Sequence, residues 1–97
     1  MNDRARLLAT ARDVTVRNGA EALKLASDTC AENGWSEPTF VDTLAAAHAE
    51  LDQWDQAVAM EQKAISLLSA EQKKDTKLVE RFHARLRQYE RHKKVRE

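Results

Sequence analysis

The sequence predicts an all-α protein, and three observations lead to that fold class. Only two of the 97 residues are Gly and one is Pro, so few positions interrupt a helix. The chain is 42% hydrophobic and 33% charged, and it is rich in strong helix formers such as Ala, Leu, Glu, Lys and Arg. Apolar residues also recur at spacings of three and four, which is the period of a helix face. The length fits one domain with one modest core.

The first two predicted helices lie before the only proline. A short apolar helix over residues 7–11 is followed by the β-branched residues 14–16, which we interpret as a connecting turn. Asn18 and Glu21 have the spacing of a capping box, in which Asn18 accepts from free amides and Glu21 reaches back. The second helix then continues to an Asn-Gly stop signal at 33–34.

The third and fourth helices form the most informative part of the chain. Residues 42–58 predict an Ala-rich helix, a tight polar turn and the start of another helix. Pro38 fits the first turn of the third helix, and Asp52 is the expected N-cap of the fourth. Because the turn is so short, the two helices must fold back on each other. We therefore expect the small residues Ala45 and Ala57 to lie at a close helix–helix contact.

A fifth helix is predicted after a polar break at residues 69–75. One face of this helix is apolar, and its remaining faces are densely charged. Its last turns are expected to fray because few apolar residues hold them. Its apolar stripe consists of Leu78, Val79, Phe82, Leu86 and Tyr89.

Charge is unevenly placed along the chain, although the formal net charge is zero. Residues 1–20 have a net charge of +2, residues 21–72 of −8, and residues 73–97 of +6. The acidic middle and the basic end can attract each other within one fold. The basic end can equally meet an acidic partner.

Two helices of the chain repeat each other weakly. Ala22 and Ala57 are separated by about the 34-residue period of tetratricopeptide repeats. Leu44 and Ala57 match the pattern of that family. Ala45 is small, as is the residue that the pattern has at its position. Residues 54–57, Trp-Asp-Gln-Ala, are similar to the aromatic–acid–x–Ala turn of these repeats.

The chain thus resembles the tetratricopeptide repeat (TPR) family over residues 18–68. The resemblance implies one domain over residues 1–97, built as a short α-solenoid. Its expected parts are two TPR-like helical hairpins, at about 4–33 and 37–68, and a C-terminal capping helix at about 72–94.

A stacked hairpin offers a surface for other proteins and carries no chemistry by itself, so we predict a protein–protein interaction module. The partner is expected to be a peptide or helical surface, and the acidic middle favours a basic or apolar one. The expected partner-binding residues lie on the third helix: Thr39, Asp42, Ala46, Ala49 and Glu50.

Two alternatives to this prediction stay open. The chain can be architectural, as the C-terminal cap of a longer solenoid or as a self-associating module that forms a homo-oligomer. Nucleic-acid binding through the basic C-terminal helix is the weaker alternative. Glu residues are mixed into that helix, and no aromatic readout motif accompanies it.

The sequence contains no arrangement of residues typical of an enzyme, so we expect no catalytic site. The three histidines, His48, His83 and His92, lack metal-ligand spacing, and two isolated Gly exclude a phosphate-binding loop. We expect no metal and no cofactor. Cys30 is the only cysteine and is expected to be a buried thiol, which fits a cytoplasmic location. No secretory signal or membrane span is visible, so no membrane contact is expected.

Trp35 and Trp54 both lie at predicted turns. Each is expected to fill a gap between neighbouring helices, because a large aromatic ring contributes strongly to burial. The alternative is that one of the two rings is exposed and anchors a partner.

Overall fold

A computed structural model describes residues 2–97, and this part of the chain contains helices and no strand. The all-α class is therefore confirmed. The elements in chain order are α1 (Asn2–Thr10), α2 (Gly19–Glu32), α3 (Pro38–Glu50), α4 (Trp54–Ser66), a 3-10 turn (Gln72–Lys74) and α5 (Thr76–Glu90). They pack into a body with a radius of gyration of 12.3 Å.

Helix α3 lies at the centre of the structure. It contacts α1, α2 and α4, and α4 in turn contacts α5. Ala45 and Ala57 are both 0% exposed and belong to one cluster, as the sequence predicted. Since neither carries more than a methyl group, the backbones of α3 and α4 can approach closely along this contact.

The start of α2 confirms one half of the predicted capping box. Asn18 Oδ1 accepts from the backbone N–H of Glu21 at 3.1 Å. The second half is wrong, because the N–H of Asn18 already donates to the carbonyl of Leu8 at 2.8 Å. The Glu21 carboxylate instead accepts from Arg4 Nη2 at 2.9 Å. This pairing joins α1 to α2.

The turn between α3 and α4 differs from the prediction. Asp52 is not the N-cap, because it adopts a left-handed conformation with φ 59° that reverses the chain. Gln53 is the N-cap residue and makes no side-chain capping bond. Its Oε1 lies 2.7 Å from Nδ1 of His48, and this contact closes the turn. Pro38 occupies the first turn of α3, as predicted.

Residues 91–97 form a turn followed by a non-helical segment, and we call these seven residues the tail. The expectation that the last helix continues to about residue 94 is wrong, because α5 ends at Glu90 and His92 has φ 56°. The backbone N–H of Glu97 donates to the carbonyl of Thr10 at 2.9 Å. Val95 is only 8% exposed and packs in the cluster of Ala45 and Ala57. The tail therefore runs back over the helices.

The apolar stripe of α5 faces the interior as predicted. Phe82 and Tyr89 are fully buried, and Leu78 and Val79 pack partly buried against the main core cluster. Leu86 is half-buried. Helix α5 consequently covers an apolar edge of α4, where most of its contacts lie.

Candidate interaction site

The five residues predicted to bind a partner do not form one open surface. Asp42, Ala46 and Ala49 are buried, with 1%, 4% and 0% exposure respectively. Thr39 and Glu50 are partly exposed, at the two ends of α3. The contribution of these residues to partner binding stays a prediction, and the contacts that cover them define the candidate site.

The two alanines of the set belong to different apolar clusters. Ala46 packs with Ala9 and Ala22, so it faces α1 and α2. Ala49 packs in the cluster that contains Tyr89 and Val95, so it lies beneath α5 and the tail. Only the second alanine is on the side of α3 that the tail covers.

Asp42 is the centre of a buried charge network. Its Oδ2 accepts from Arg85 Nη1 at 2.5 Å and from Arg6 Nη2. Arg6 also donates to Thr43 Oγ1 at 3.0 Å, which orients its guanidinium against α3. One carboxylate oxygen on α3 thus joins α1 to α5. Such pairs are strong when fully hydrogen-bonded and costly when one member is lost.

Glu97 of the tail completes the network from the outside. Its Oε1 accepts from Arg6 Nη1 at 2.8 Å and from Arg85 Nη2. Each arginine therefore binds two carboxylates, and the four formal charges balance. The side chains of Arg6 and Arg85 are 21% and 10% exposed, while that of Glu97 is 38% exposed. Glu97 is the member nearest to solvent.

Two further ionisable groups, Glu61 and Tyr89, are fully buried beside this network. Burial, with the Asp42 carboxylate nearby, raises the pKa of Glu61 to about 10, so this carboxyl is neutral at pH 7. Burial and then Glu61 also raise the pKa of Tyr89. We call the whole set the polar centre: Arg6, Asp42, Glu61, Arg85, Tyr89 and Glu97.

The charge of Arg6 is set by opposing effects. Burial disfavours the charged guanidinium, but the carboxylates of Asp42 and Glu97 outweigh burial and raise the pKa of Arg6. The polar centre therefore keeps Arg6 charged.

The tail also contacts the far end of α3 and the turn that follows. Arg96 Nη1 lies 2.8 Å from Glu50 Oε2, and Lys94 Nζ lies 3.3 Å from Asp52 Oδ1. The His92 ring stacks on Trp54, with ring centroids 5.2 Å apart and an angle of 3° between the ring planes. The basic end of the chain thus pairs with the acidic helix, which is one of the two outcomes that the charge pattern allowed.

An open cavity of about 230 Å³ lies where the polar centre meets solvent. Its lining includes Thr39 and Asp42 from the predicted set, together with Arg6, Arg81, Arg85 and Glu97. The cavity mouth is therefore formed by α1, α3, α5 and the tail.

Sequence reasoning missed most of the polar centre, although a signal for two of its members was present. Glu61 lies on the same helix stripe as Ala57 and Ala64, and Arg85 lies between Phe82 and Tyr89 on the stripe of α5. A charged residue on an apolar stripe is almost never fully buried without a partner. Such residues on the apolar stripes of two helices therefore indicate a buried polar cluster. No comparable signal marks Arg6 or Glu97.

The two tryptophans have different environments. Trp54 is half-buried against the tail through its stack on His92, as expected of a ring that fills a gap. Trp35 is 37% exposed and has φ 62°, and the Lys63 ammonium lies 5.6 Å from its ring centre. Trp35 is therefore the more accessible of the two.

No group of three His, Cys, Asp or Glu side chains in residues 2–97 is arranged to hold a metal ion. Cys30 is fully buried, and burial raises the pKa of its thiol, as expected for an unreactive cysteine. None of the helices in this range is long and apolar enough to cross a membrane. Comparison with protein-family models, curated proteins and solved structures gave no significant match.

Proposed function

We propose that this chain is a protein–protein interaction module, and that it binds a peptide segment of its partner on the face of α3 that the tail covers. One observation carries the proposal. A non-helical segment of the chain already lies on this face, where the side chain of Val95 packs against alanines of α3 and that of Arg96 pairs with Glu50.

The chemistry of the tail matches the ligand that the charge pattern favours. Val95 supplies an apolar side chain to the cluster of Ala45, Ala49 and Ala57. The next residue, Arg96, pairs with Glu50 on α3. An apolar residue followed by a basic one is therefore suited to this face, and a partner peptide with the same order would compete with the tail.

We infer that the scaffold is a short TPR-like solenoid. In this interpretation α1 with α2 and α3 with α4 are the two hairpins, and α5 is the cap. The contacts of α3 with α1, α2 and α4 support this stacking, as does the small-residue contact at Ala45 and Ala57. We place this non-enzymatic module in the cytoplasm, because its lone cysteine needs no oxidising compartment.

The test measures binding of a labelled peptide that copies residues 90–97. The protein is the full chain carrying Arg96→Ala, which weakens the competing tail. We expect this peptide to bind more tightly than a copy with Glu in place of the residue that corresponds to Arg96, and we expect added salt to reduce the difference. Glu50→Lys in the protein should reverse the preference, while Glu71→Lys is the control for the change of charge. Equal affinity for both peptides, unchanged by Glu50→Lys, would exclude the α3 face.

Self-association is a second candidate, and exposed apolar side chains favour it. Leu7 is 54% exposed on α1, and Val14 is 69% exposed in the turn that follows. Light scattering over a wide concentration range separates this candidate from the first, because a constant monomer mass would exclude it. Nucleic-acid binding by the basic end has less support, since Arg85, Lys94 and Arg96 already pair with carboxylates.

A further inference from the structure

We propose that the cavity at the polar centre is a carboxylate-binding subsite. Glu97 fills it within the chain, and an acidic side chain of the partner peptide fills it when the tail is displaced. This inference rests on the proposed function, and it adds the chemistry of the residue that enters the cavity. The ligand is then a peptide with an apolar, a basic and an acidic residue in succession.

Charge balance is the first argument for the subsite. Arg6 and Arg85 are both bound to Asp42 and Glu97, so two positive charges meet two negative ones. Removal of the Glu97 carboxylate leaves two largely buried guanidinium groups with one carboxylate. An uncompensated charge in such a place is costly, so the site requires another anion.

The geometry of the donors is the second argument. Arg6 Nη1 and Arg85 Nη2 converge on one oxygen, Oε1 of Glu97, from opposite helices. Both arginines are held from behind by Asp42, whose side chain is 2% exposed, so their donors keep this orientation without the tail. Such preorganised, paired donors are suited to a planar carboxylate.

Access to the site is the third argument. The cavity of about 230 Å³ is open, and Glu97 is its most exposed charged member apart from Arg81. Arg81 lies at the mouth of the cavity, where it adds a positive charge that attracts an incoming anion. Glu97 can therefore exchange with an external carboxylate while Asp42 stays in place.

The presence of Asp42 favours a carboxylate over a phosphate. When Glu97 is displaced, one negative charge from the ligand is enough to balance the two arginines together with Asp42. A phosphate dianion would bring a second negative charge close to the Asp42 carboxylate, which is repulsive. The subsite is thus expected to accept Asp or Glu side chains in preference to phosphorylated ones.

The experiment titrates acetate, the simplest carboxylate probe, into the full chain. The Nε–Hε signals of the arginines are followed by nuclear magnetic resonance. In Glu97→Ala the tail keeps Val95 and Arg96 but loses the internal carboxylate. We expect acetate to bind this variant at least about tenfold more tightly than the wild type, the effect of roughly one charged hydrogen bond. Glu90→Ala removes an exposed acidic residue of α5 and is the matched control, with wild-type affinity expected.

A second change locates the bound anion without disturbing the buried ion pairs. Adding Arg81→Gln to Glu97→Ala should weaken acetate binding about threefold, because this exposed residue lines the cavity mouth. Acetate affinities that are equal in the wild type and Glu97→Ala would overturn the proposal. An enhancement also seen in Glu90→Ala, or one unaffected by Arg81→Gln, would overturn it as well.

Inorganic phosphate serves as the competing anion. Tighter binding of phosphate than of acetate to Glu97→Ala would overturn the assignment to a carboxylate. None of these titrations uses a peptide, so failure of the subsite is distinguishable from failure of peptide binding. If acetate binds as expected but the peptide does not, the proposed function fails and the subsite as a feature of this chain stands.

Discussion

Helix α3 carries two kinds of interior contact, and they differ in what holds them together. Its alanine contacts use Ala45 against Ala57 in α4, and Ala46 with Ala47 against α1 and α2. Its polar contact uses Asp42, which binds arginines from α1 and α5. The alanine contacts depend on small volume alone. The polar centre depends on four charged groups from distant parts of the sequence, two positive and two negative, whose charges compensate one another.

This difference shows where the fold tolerates the loss of one contact and where its stability depends on every member of a network. Burial of small apolar residues is non-directional, and each contact adds its own modest contribution. A buried ion network stabilises only while every charge is compensated, because the desolvation penalty is otherwise left unbalanced. The polar centre is therefore where the loss of one group, or its replacement by a ligand, has the greatest consequence.

The largest expected effect comes from Asp42→Asn. Loss of this carboxylate leaves Arg6 and Arg85 with only Glu97, so we expect the free energy of unfolding to fall by about 3–5 kcal/mol. Urea denaturation followed by circular dichroism measures the change. Asp55→Asn removes an exposed carboxylate from α4 and should cost less than about 1 kcal/mol. Similar losses in the two variants would show that the polar centre does not depend on Asp42.

A smaller effect is expected where an alanine contact is overpacked. Ala57→Leu inserts a larger side chain between α3 and α4, and we expect a loss of roughly 1–3 kcal/mol in the free energy of unfolding. Ala59→Leu is the matched control, because Ala59 is exposed on the same helix and gains no clash. The melting temperatures of both variants, compared with that of the wild type, measure these effects. An Ala57→Leu protein that melts with the wild type would contradict the helix contact described above.

Glu61→Gln tests the polar centre through its pH dependence. The pKa of Glu61 is raised from 4.5 to about 10, so the folded protein holds a proton that the unfolded chain releases. Stability from this group is complete below pH 4.5 and falls as pH rises to about 10. Gln does not titrate, so the variant should gain stability relative to the wild type by up to about 1 kcal/mol per pH unit.

Denaturation at several pH values between 6 and 9 checks this expectation. The charged groups facing Glu61 are Asp42, Arg6 and Arg85, and Tyr89 lies beside them. They are common to both proteins, so the difference between the two pH profiles isolates Glu61. Glu80→Gln changes an exposed carboxylate and should leave the profile unaltered. Parallel profiles for the wild type and Glu61→Gln would show that Glu61 is ionised in the folded protein.

The smallest expected effect is that of Val95→Ala, which reduces the apolar contact of the tail. Val95 is 8% exposed, and removing two carbons at about 0.8 kcal/mol each should cost about 1.5 kcal/mol. Hydrogen exchange at the amide of Glu97, which donates to Thr10, should become faster because the tail leaves its face more often. Val14→Ala is the control, since Val14 is exposed. Unchanged exchange in Val95→Ala would show that this side chain does not hold the tail.

Local signals in the sequence were sufficient for much of the helical framework. Pro38 at the start of α3, the stop at Asn33-Gly34 and the apolar stripe of α5 all depend on neighbours within a few residues. The role of Asp52 was predicted wrongly because an aspartate suits both an N-cap and a left-handed turn. The choice depends on how closely α3 and α4 pack, and local sequence does not specify that distance.

The course of the tail was the larger error, and its cause is electrostatic. From sequence, residues 91–97 resemble a charged helix end that frays. In the structure Arg96 forms an ion pair with Glu50, and Glu97 forms ion pairs with Arg6 and Arg85. These pairings join residues up to 91 positions apart. A charge pattern shows that opposite segments can attract, but it does not say which residues meet.

The sequence by itself determined that the chain is helical, that alanines lie where α3 meets α4, and that an acidic middle is joined to a basic end. Those properties follow from backbone propensity, side-chain volume and composition, which are local or additive quantities. Only the tertiary structure decided that Asp42 and Glu61 are buried and that the tail covers α3. It also decided that two arginines each pair with both Asp42 and Glu97. Each of these depends on the relative positions of at least three elements, because a buried charge is tolerated only where its partners converge in space.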